Sequence, residues 1–362
     1  MAVDISVSRC YNTIVNAPVA QGIRALACGA RGRRFKSSRA YQPMNFYIRE
    51  FAPHDYVSIA DIGNAIYPDY RYSPEEIRYD DEHFDKTKYL FKRYVAEVSG
   101  RVVGYAEYHH MPNMFHPQKF WIWVGVHPEF QKQGIGRALY EKIISDLRAL
   151  NAVRALTSAR EDYPRSIAFL QKNGFTETMR TWESRLPVAT FDLKKFAHYL
   201  ERFSAHGFTI TTLADELKRD PNCLKKLYEL YELIMEDVPH PDQHTPVDFE
   251  HFLRYSIEHP DAIAEGYFIA KDGEKYIGLS NLRKSKDEPK DLYQGLTGVR
   301  REYRGKGVAM ALKLKTIEYA QRHGYAVIKT WNESNNVGML AINEKLGFVR
   351  QPAWVTFAKE FS

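Results

Sequence analysis

Cysteine is scarce in this chain: three residues in 362, two of them (Cys10 and Cys28) within the first 43. Cys223 is then the only thiol of the remaining sequence. That excludes a disulfide framework or a cysteine-rich zinc set there, and it fits a reducing, cytoplasmic setting. Long apolar runs are also missing. No stretch approaches the ~20 apolar residues that span a bilayer, so no membrane-crossing helix is expected. Charge of either sign is not in excess beyond residue 43. The formal +6 arises in residues 1–43, where Arg9, Arg24, Arg31, Arg33, Arg34, Lys36 and Arg39 face Asp4 alone. The rest balances to zero, so there is no basic body from which to argue nucleic-acid binding.

Residues 1–43 lack a clear amphipathic period and are rich in Arg, Ser, Ala and Gly. They read as the translation of a transfer-RNA gene in an open frame, upstream of a true start at Met44. An organelle transit peptide or a functional tail are the alternatives. No fold is expected of them.

What the chain does have is a repeat. Gly134 and Gly307 lie 173 residues apart, as do Val126 and Val299, and as do the Gly-Phe pairs Gly174-Phe175 and Gly347-Phe348. A period of about half the chain is too long for a solenoid and reads as one duplicated domain. At ~150 residues per domain the length agrees. Around each glycine the order of parts is the same: a short apolar strand, a polar turn, a glycine-bearing loop, then a helix with a basic residue near its start. The first amides of a helix have no internal partner and carry the positive end of its dipole. A glycine beside them lets a phosphate approach the backbone. No Gly-Lys-Ser/Thr follows either loop, which argues against a nucleotidase.

Gln131-Lys132-Gln133-Gly134-Ile135-Gly136 and Arg304-Gly305-Lys306-Gly307-Val308-Ala309 each follow a strand and precede a Gly-Phe pair, 40 residues on from the loop glycine. In this they resemble the acetyl-CoA loop of the GCN5-related N-acetyltransferases, the GNAT superfamily. The resemblance covers nearly everything after residue 44. It implies a mixed α/β (α+β) fold of two tandem domains, residues 44–190 and 191–362. Each would be a mixed, mostly antiparallel sheet flanked by helices. It implies acetyl-CoA as co-substrate, no metal, and direct transfer to the amine of a small molecule or peptide, by a monomer or homodimer. A coenzyme A-binding sensor or scaffold with one or both domains inactive is the rival reading.

The resemblance also assigns residues. The strand before the loop would part from its neighbour, so that a main-chain amide near Val124 to Val126, or at Val299, polarises the thioester carbonyl. The diphosphate would rest on the amides of Gln133, Gly134, Ile135, Gly136 and Arg137, and on those of Gly305, Lys306, Gly307, Val308 and Ala309. The side chains of Gln131, Arg137 and Arg304 are candidates for direct contact or for solvated positions. Asn336 would touch the pantetheine arm, cap a helix, or do both. Many family members carry a Tyr acid four residues before the Gly of Gly-Phe. Leu170 and Asn343 stand there instead, so no general acid is assigned. Glu107 and Asp237 are the candidate bases. His109-His110 and the pair His240 and His244 lack a third ligand at metal-site spacing.

Periodicity gives the remaining elements. Strands are expected at residues 46–50, 91–98, 102–109 and 119–126. Leu139, Ile143, Leu147 and Leu150 form the core stripe of the helix after Gly134. Residues 175–186 are expected to finish the first half's sheet. The second half repeats the plan, and the resemblance implies that loops 67–85 and 236–249 line the acceptor site.

Overall fold

The computed structural model describes residues 45–285 and 288–361; the expectations for residues 1–43 and for Met44 lie outside the described residues. The first half runs β1 (Tyr47–Glu50), α1 (Tyr56–Ile66), α2 (Pro74–His83), β2 (Phe91–Val98), β3 (Arg101–His109), β4 (Lys119–Val126), α3 (Ile135–Ala149), β5 (Arg154–Arg160), α4 (Pro164–Lys172) and β6 (Thr176–Pro187). After α5 (Ala197–Ala205) the plan repeats as β7 (Thr209–Thr212), α6 (Leu213–Arg219), α7 (Cys223–Met235), β8 (Ala262–Asp272), β9 (Lys275–Lys284), β10 (Asp291–Val299), α8 (Val308–Arg322), β11 (Val327–Glu333), α9 (Val337–Lys345), β12 (Val349–Arg350) and β13 (Trp354–Glu360). The offset of 173 residues recovers α3, β5 and α4 in α8, β11 and α9 to the residue. Among the described residues no helix is long and apolar enough to cross a membrane.

The strands join in one sheet of order β1-β2-β3-β4-β5-β13-β6-β11-β10-β9-β8-β7, with β12 beside β6. The expectation that residues 175–186 close the first half's own sheet is corrected here. β6 instead lies along β11 of the second half, from Thr181↔Glu333 to Pro187↔Val327. The last strand of the chain, β13, returns to pair with β5, from Trp354↔Arg160 to Glu360↔Arg154. The halves thus exchange their closing strands, and β6 and β13 pair with each other at the centre. Pro352 lies in the break between β12 and β13, as a residue without an amide donor requires, while β6 is continuous.

Packing makes the exchange binding. Val355 and Phe357 of β13 belong to the core formed by Leu139, Ile143 and Leu147 of α3. Leu186 and Val188 are buried with Leu282, Leu314 and Ile328 of the second half. Of the expected stripe on α3, Leu150 is the one that does not face the core: it caps the helix and is 36% exposed.

Phe357 is 1% exposed. Phe357→Ala is expected to cost roughly 3–5 kcal/mol in urea denaturation and to destabilise both halves in one transition. Val349→Ala, at a 60% exposed site of β12, should leave the midpoint nearly unchanged.

Candidate active site

In each half two parallel strands start together and then part. β4 pairs with β5 only from Lys119↔Arg154 to Trp121↔Leu156. β10 pairs with β11 only from Asp291↔Val327 to Tyr293↔Lys329. Beyond those points Val124, Val126 and Val299 keep their β3 or β9 partners but have none on the other side. The halves differ in one respect. β4 runs against β3 without a register break, whereas β10 bulges at Gly295 and Leu296 opposite Asn281. Glycine is required at the bulge because a Cβ at 295 would lie 2.3 Å from Asn281 Oδ1.

At the end of each parting strand the chain turns into a helix through a left-handed glycine, Gly134 (φ 86°) before α3 and Gly307 (φ 82°) before α8. A Cβ built on either glycine would meet nothing within 4 Å, so the space above both helix starts is open. No side chain caps either helix. Lys132 (φ 64°) and Gly305 (φ 77°) are also left-handed at matching places, and the lysine bears a strain of ~1 kcal/mol that glycine avoids. Ile135 and Val308 turn into the core, which seats each helix. Gly136 clears Val126 by ordinary contact, and Ala309 is buried.

The flanking side chains brace the loops. Gln131 Nε2 donates to the Val126 carbonyl at 3.1 Å, and Arg304 Nε donates to the Val299 carbonyl at 3.1 Å. Gln133 Nε2 donates to the Glu129 carbonyl. Arg137 projects outward and pairs with Glu141 at 2.7 Å, while Lys306 lies over the Tyr303 ring. Asn336 is the N-cap of α9, its Oδ1 accepting from Met339 N. At the same position the first half has Tyr163, followed by Pro164. Asn343 donates to Asn332 and Leu170 is a core residue, so neither offers an acid.

Both carboxylates singled out as bases are committed elsewhere. Glu107 is buried with Arg93, which also pairs with Asp81. Burial raises its pKa against the pull of Arg93, but it is not among the residues lining the central cavity described below. It acts as an anchor between β2 and β3. Asp237 is gripped by Arg301 (2.6 Å) and by Arg304. The Arg301 hydrogen bonds lead in lowering its pKa, the wrong direction for a base. It ties α7 to the second glycine loop.

A cavity of about 240 Å³ lies between the halves. The expected loops do line it, through Tyr67, Tyr72 and Asp80 on one side and Pro239, His240 and Val247 on the other. The first half reaches it through Trp121, where β4 and β5 begin to part. The second half contributes Gly295 and Leu296 of the bulge together with Trp331 and Glu333 of β11. His240 and His251 on its wall are held to about 4 by burial and are neutral at pH 7. Glu333, which sequence reasoning passed over, is 3% exposed. It accepts from Ser334 Oγ and from Asn335 N and Nδ2, and no cation lies within ion-pair reach of it among the described residues. At the equivalent place the first half has Arg160, paired with Asp162. Among the described residues no group of three or more His, Cys, Asp or Glu could hold a metal ion.

A strand that leaves its neighbour above an open helix start, twice at a fixed offset, is the architecture of an acyltransferase carried in tandem. The model of the Acetyltransferase (GNAT) family matches residues 57–175 and again 227–348, and the chain belongs to that family. Mycothiol acetyltransferase of Salinispora arenicola (strain CNS-205) is 23% identical over 269 residues, which is 73% of this chain and 80% of that protein. A tandem GNAT protein from the clavulanic acid biosynthesis pathway superposes with a TM-score of 0.67 at 19% identity, over 87% of this chain and 98% of that one. A GCN5-related N-acetyltransferase from Sphaerobacter thermophilus gives 0.61 at 19% identity, over 87% and 95%. At these identities the solved structures share the fold.

The clamp on the second loop has a pH signature. The folded pKa of Asp237 lies below its ordinary 3.8, so its stabilisation is present above that value and is lost as pH falls through the folded one. Asp237→Asn is expected to cost roughly 1–2 kcal/mol at pH 7. Urea melts across pH should show wild type and variant converging below pH 3.8.

Proposed function

We propose that the protein transfers an acetyl group from acetyl-CoA to an amine, and that the second half is the working site. The observation that carries this reading is the bulge of β10 on the cavity wall, at the point where β10 leaves β11. Acetyl-CoA supplies the acyl group as a thioester open to direct attack. The open helix start after Gly307 fits its diphosphate, since nothing occupies the place a Cβ would take. The unpaired edge of β10 from Gly295 to Val299 is free to pair with an extended pantetheine arm. A main-chain amide there, fixed by the sheet before any ligand arrives, is suited to stabilise charge on the thioester oxygen.

Glu333 is the proton acceptor of this proposal. It borders the cavity, has no ion-pair partner among the described residues, and stands where β11 diverges. Asn336, three residues on from Glu333, caps α9 through its Oδ1. With Asn343 bonded to Asn332, the leaving thiolate departs without an assigned acid.

The first half supports a different role. It keeps the helix start after Gly134, but β4 has no bulge, Arg160 replaces the carboxylate, and Tyr163-Pro164 replaces Asn336-Val337. Tyr163 packs at 5.4 Å against Tyr67 in an aromatic group with Trp354. These features favour a half that holds coenzyme A without turning it over.

Release of thiol from acetyl-CoA across a panel of amines tests both assignments. Gly307→Val should abolish turnover, whereas Gly134→Val should spare it and remove one of two coenzyme A sites in calorimetry. Glu333→Gln should lower kcat about 100-fold with acetyl-CoA affinity nearly unchanged. Turnover that survives Gly307→Val and is lost in Gly134→Val would reverse the roles of the halves.

A further inference from the structure

This inference rests on the acyl-transfer reading and concerns what the second half's acceptor must carry. Arg283 of β9 lies on the cavity wall and is only 7% exposed. Its Nη2 donates to the carbonyl of Tyr255, inside a π-turn at Leu253–Ile257. Its Nη1 has no hydrogen-bond partner. Among the described residues no carboxylate is within ion-pair distance of it. Of the acids that line the cavity, Glu76 accepts from the Ser73 amide, Asp80 and Asp261 lie 3.9 and 3.7 Å from His259, and Glu333 accepts from Ser334 and Asn335; none pairs with Arg283.

The internal repeat supplies a control. In the register of the sheet the equivalent residue is His109: it faces Trp121, which pairs with Leu156, as Arg283 faces Tyr293, which pairs with Lys329, 173 positions on from Leu156. His109 is buried too, and its Nδ1 has no hydrogen-bond partner, but burial lowers its pKa to about 3 and the ring stays neutral. The second half has replaced a neutral ring with a permanent cation that lacks a counter-charge among the described residues. A guanidinium cannot shed its proton to escape burial, and a buried charge is costly unless paired. Its planar fork matches a carboxylate through two parallel hydrogen bonds.

We propose that Arg283 receives a carboxylate of the acceptor. The substrate class is then a carboxylate-bearing amine with an apolar segment, rather than a simple amine or a neutral amino sugar. Tyr267, Tyr293 and Trp331 border the cavity beside it and suit an aromatic or aliphatic body. Glu333 is left for the amine end, and the acceptor spans the distance between the two.

The test does not need the natural acceptor. Trp121, Trp331 and Trp354 line the cavity, so the full chain's tryptophan fluorescence reports occupancy. The probes are 3-phenylpropionate and its uncharged amide, each titrated without acetyl-CoA. Saturable quenching by the carboxylate is expected, with the amide at least about tenfold weaker. Arg283→Met, which keeps the volume, should bind the carboxylate about tenfold more weakly, and Arg283→Lys should fall between. Thermal melts check that the variants fold; should Arg283→Met fail to melt cooperatively, Arg283→Lys and the amide contrast decide. Equal binding of acid and amide, no saturable binding by wild type, or an Arg283→Met variant that binds like wild type overturns the proposal. Thiol release separates the two readings: turnover without carboxylate preference sinks this inference alone, and absence of turnover with every amine sinks the acyl-transfer reading.

Discussion

The need to satisfy sheet edges organises this molecule. A strand at an edge exposes a row of unpaired amides and carbonyls, and each half has two such rows. One is left open on purpose, where β4 leaves β5 and β10 leaves β11, and there it faces either the cavity or an open helix start. The other, on the far side of β5 and β11, is closed by the partner half's last strand. The open edges need rigid neighbours to stay apart, and the exchanged strands provide them. Because β13 and β6 also pair with each other, the two sites are held by a single continuous sheet. The cavity between the halves follows from the same arrangement, since its floor includes Trp354 and Thr356 of β13 and Met179 and Thr181 of β6.

Duplication gives two copies of a site, and the residues show how the copies have diverged. The parts that depend on backbone alone persist in both: a left-handed glycine, a helix start, and a parting strand. The parts that depend on side chains differ. Glu333 faces Arg160 across the repeat, Asn336 faces Tyr163, and Arg283 faces His109. Backbone recognition of a diphosphate asks only for glycine and geometry, so it tolerates drift elsewhere. Proton transfer and acceptor recognition ask for particular groups, and on the reading proposed above those stand together in the second half.

Much of this was legible in the sequence. The repeat, the two glycine loops and the strand–loop–helix order depend on local residues at fixed spacing, and the structure realises them within a residue or two. The family resemblance pointed to loops 67–85 and 236–249 as the acceptor-site lining, and both border the cavity. The exchange of β6 and β13 was not legible. The edges of β5 and β11 are related by the repeat, so a closing strand with the right alternation suits either, and residues 175–186 carry no mark of which they will choose. Asp237 looked like a base because its partners Arg301 and Arg304 lie more than sixty positions away. Arg283 and Glu333 looked like ordinary strand residues. Only the cavity distinguishes them, and a cavity built from both halves has no local signature.

The exchanged strand also constrains biosynthesis. Residues 354–360 are made almost two hundred positions after β5, yet they complete the sheet that begins at residue 47. Domains generally fold as they emerge, the N-terminal one first. Here the first half must wait with its fifth strand half-covered until β13 has been made. Nascent chains would be exposed to aggregation or to capture by a chaperone throughout synthesis, and two chains finishing side by side could close each other's sheets instead of their own.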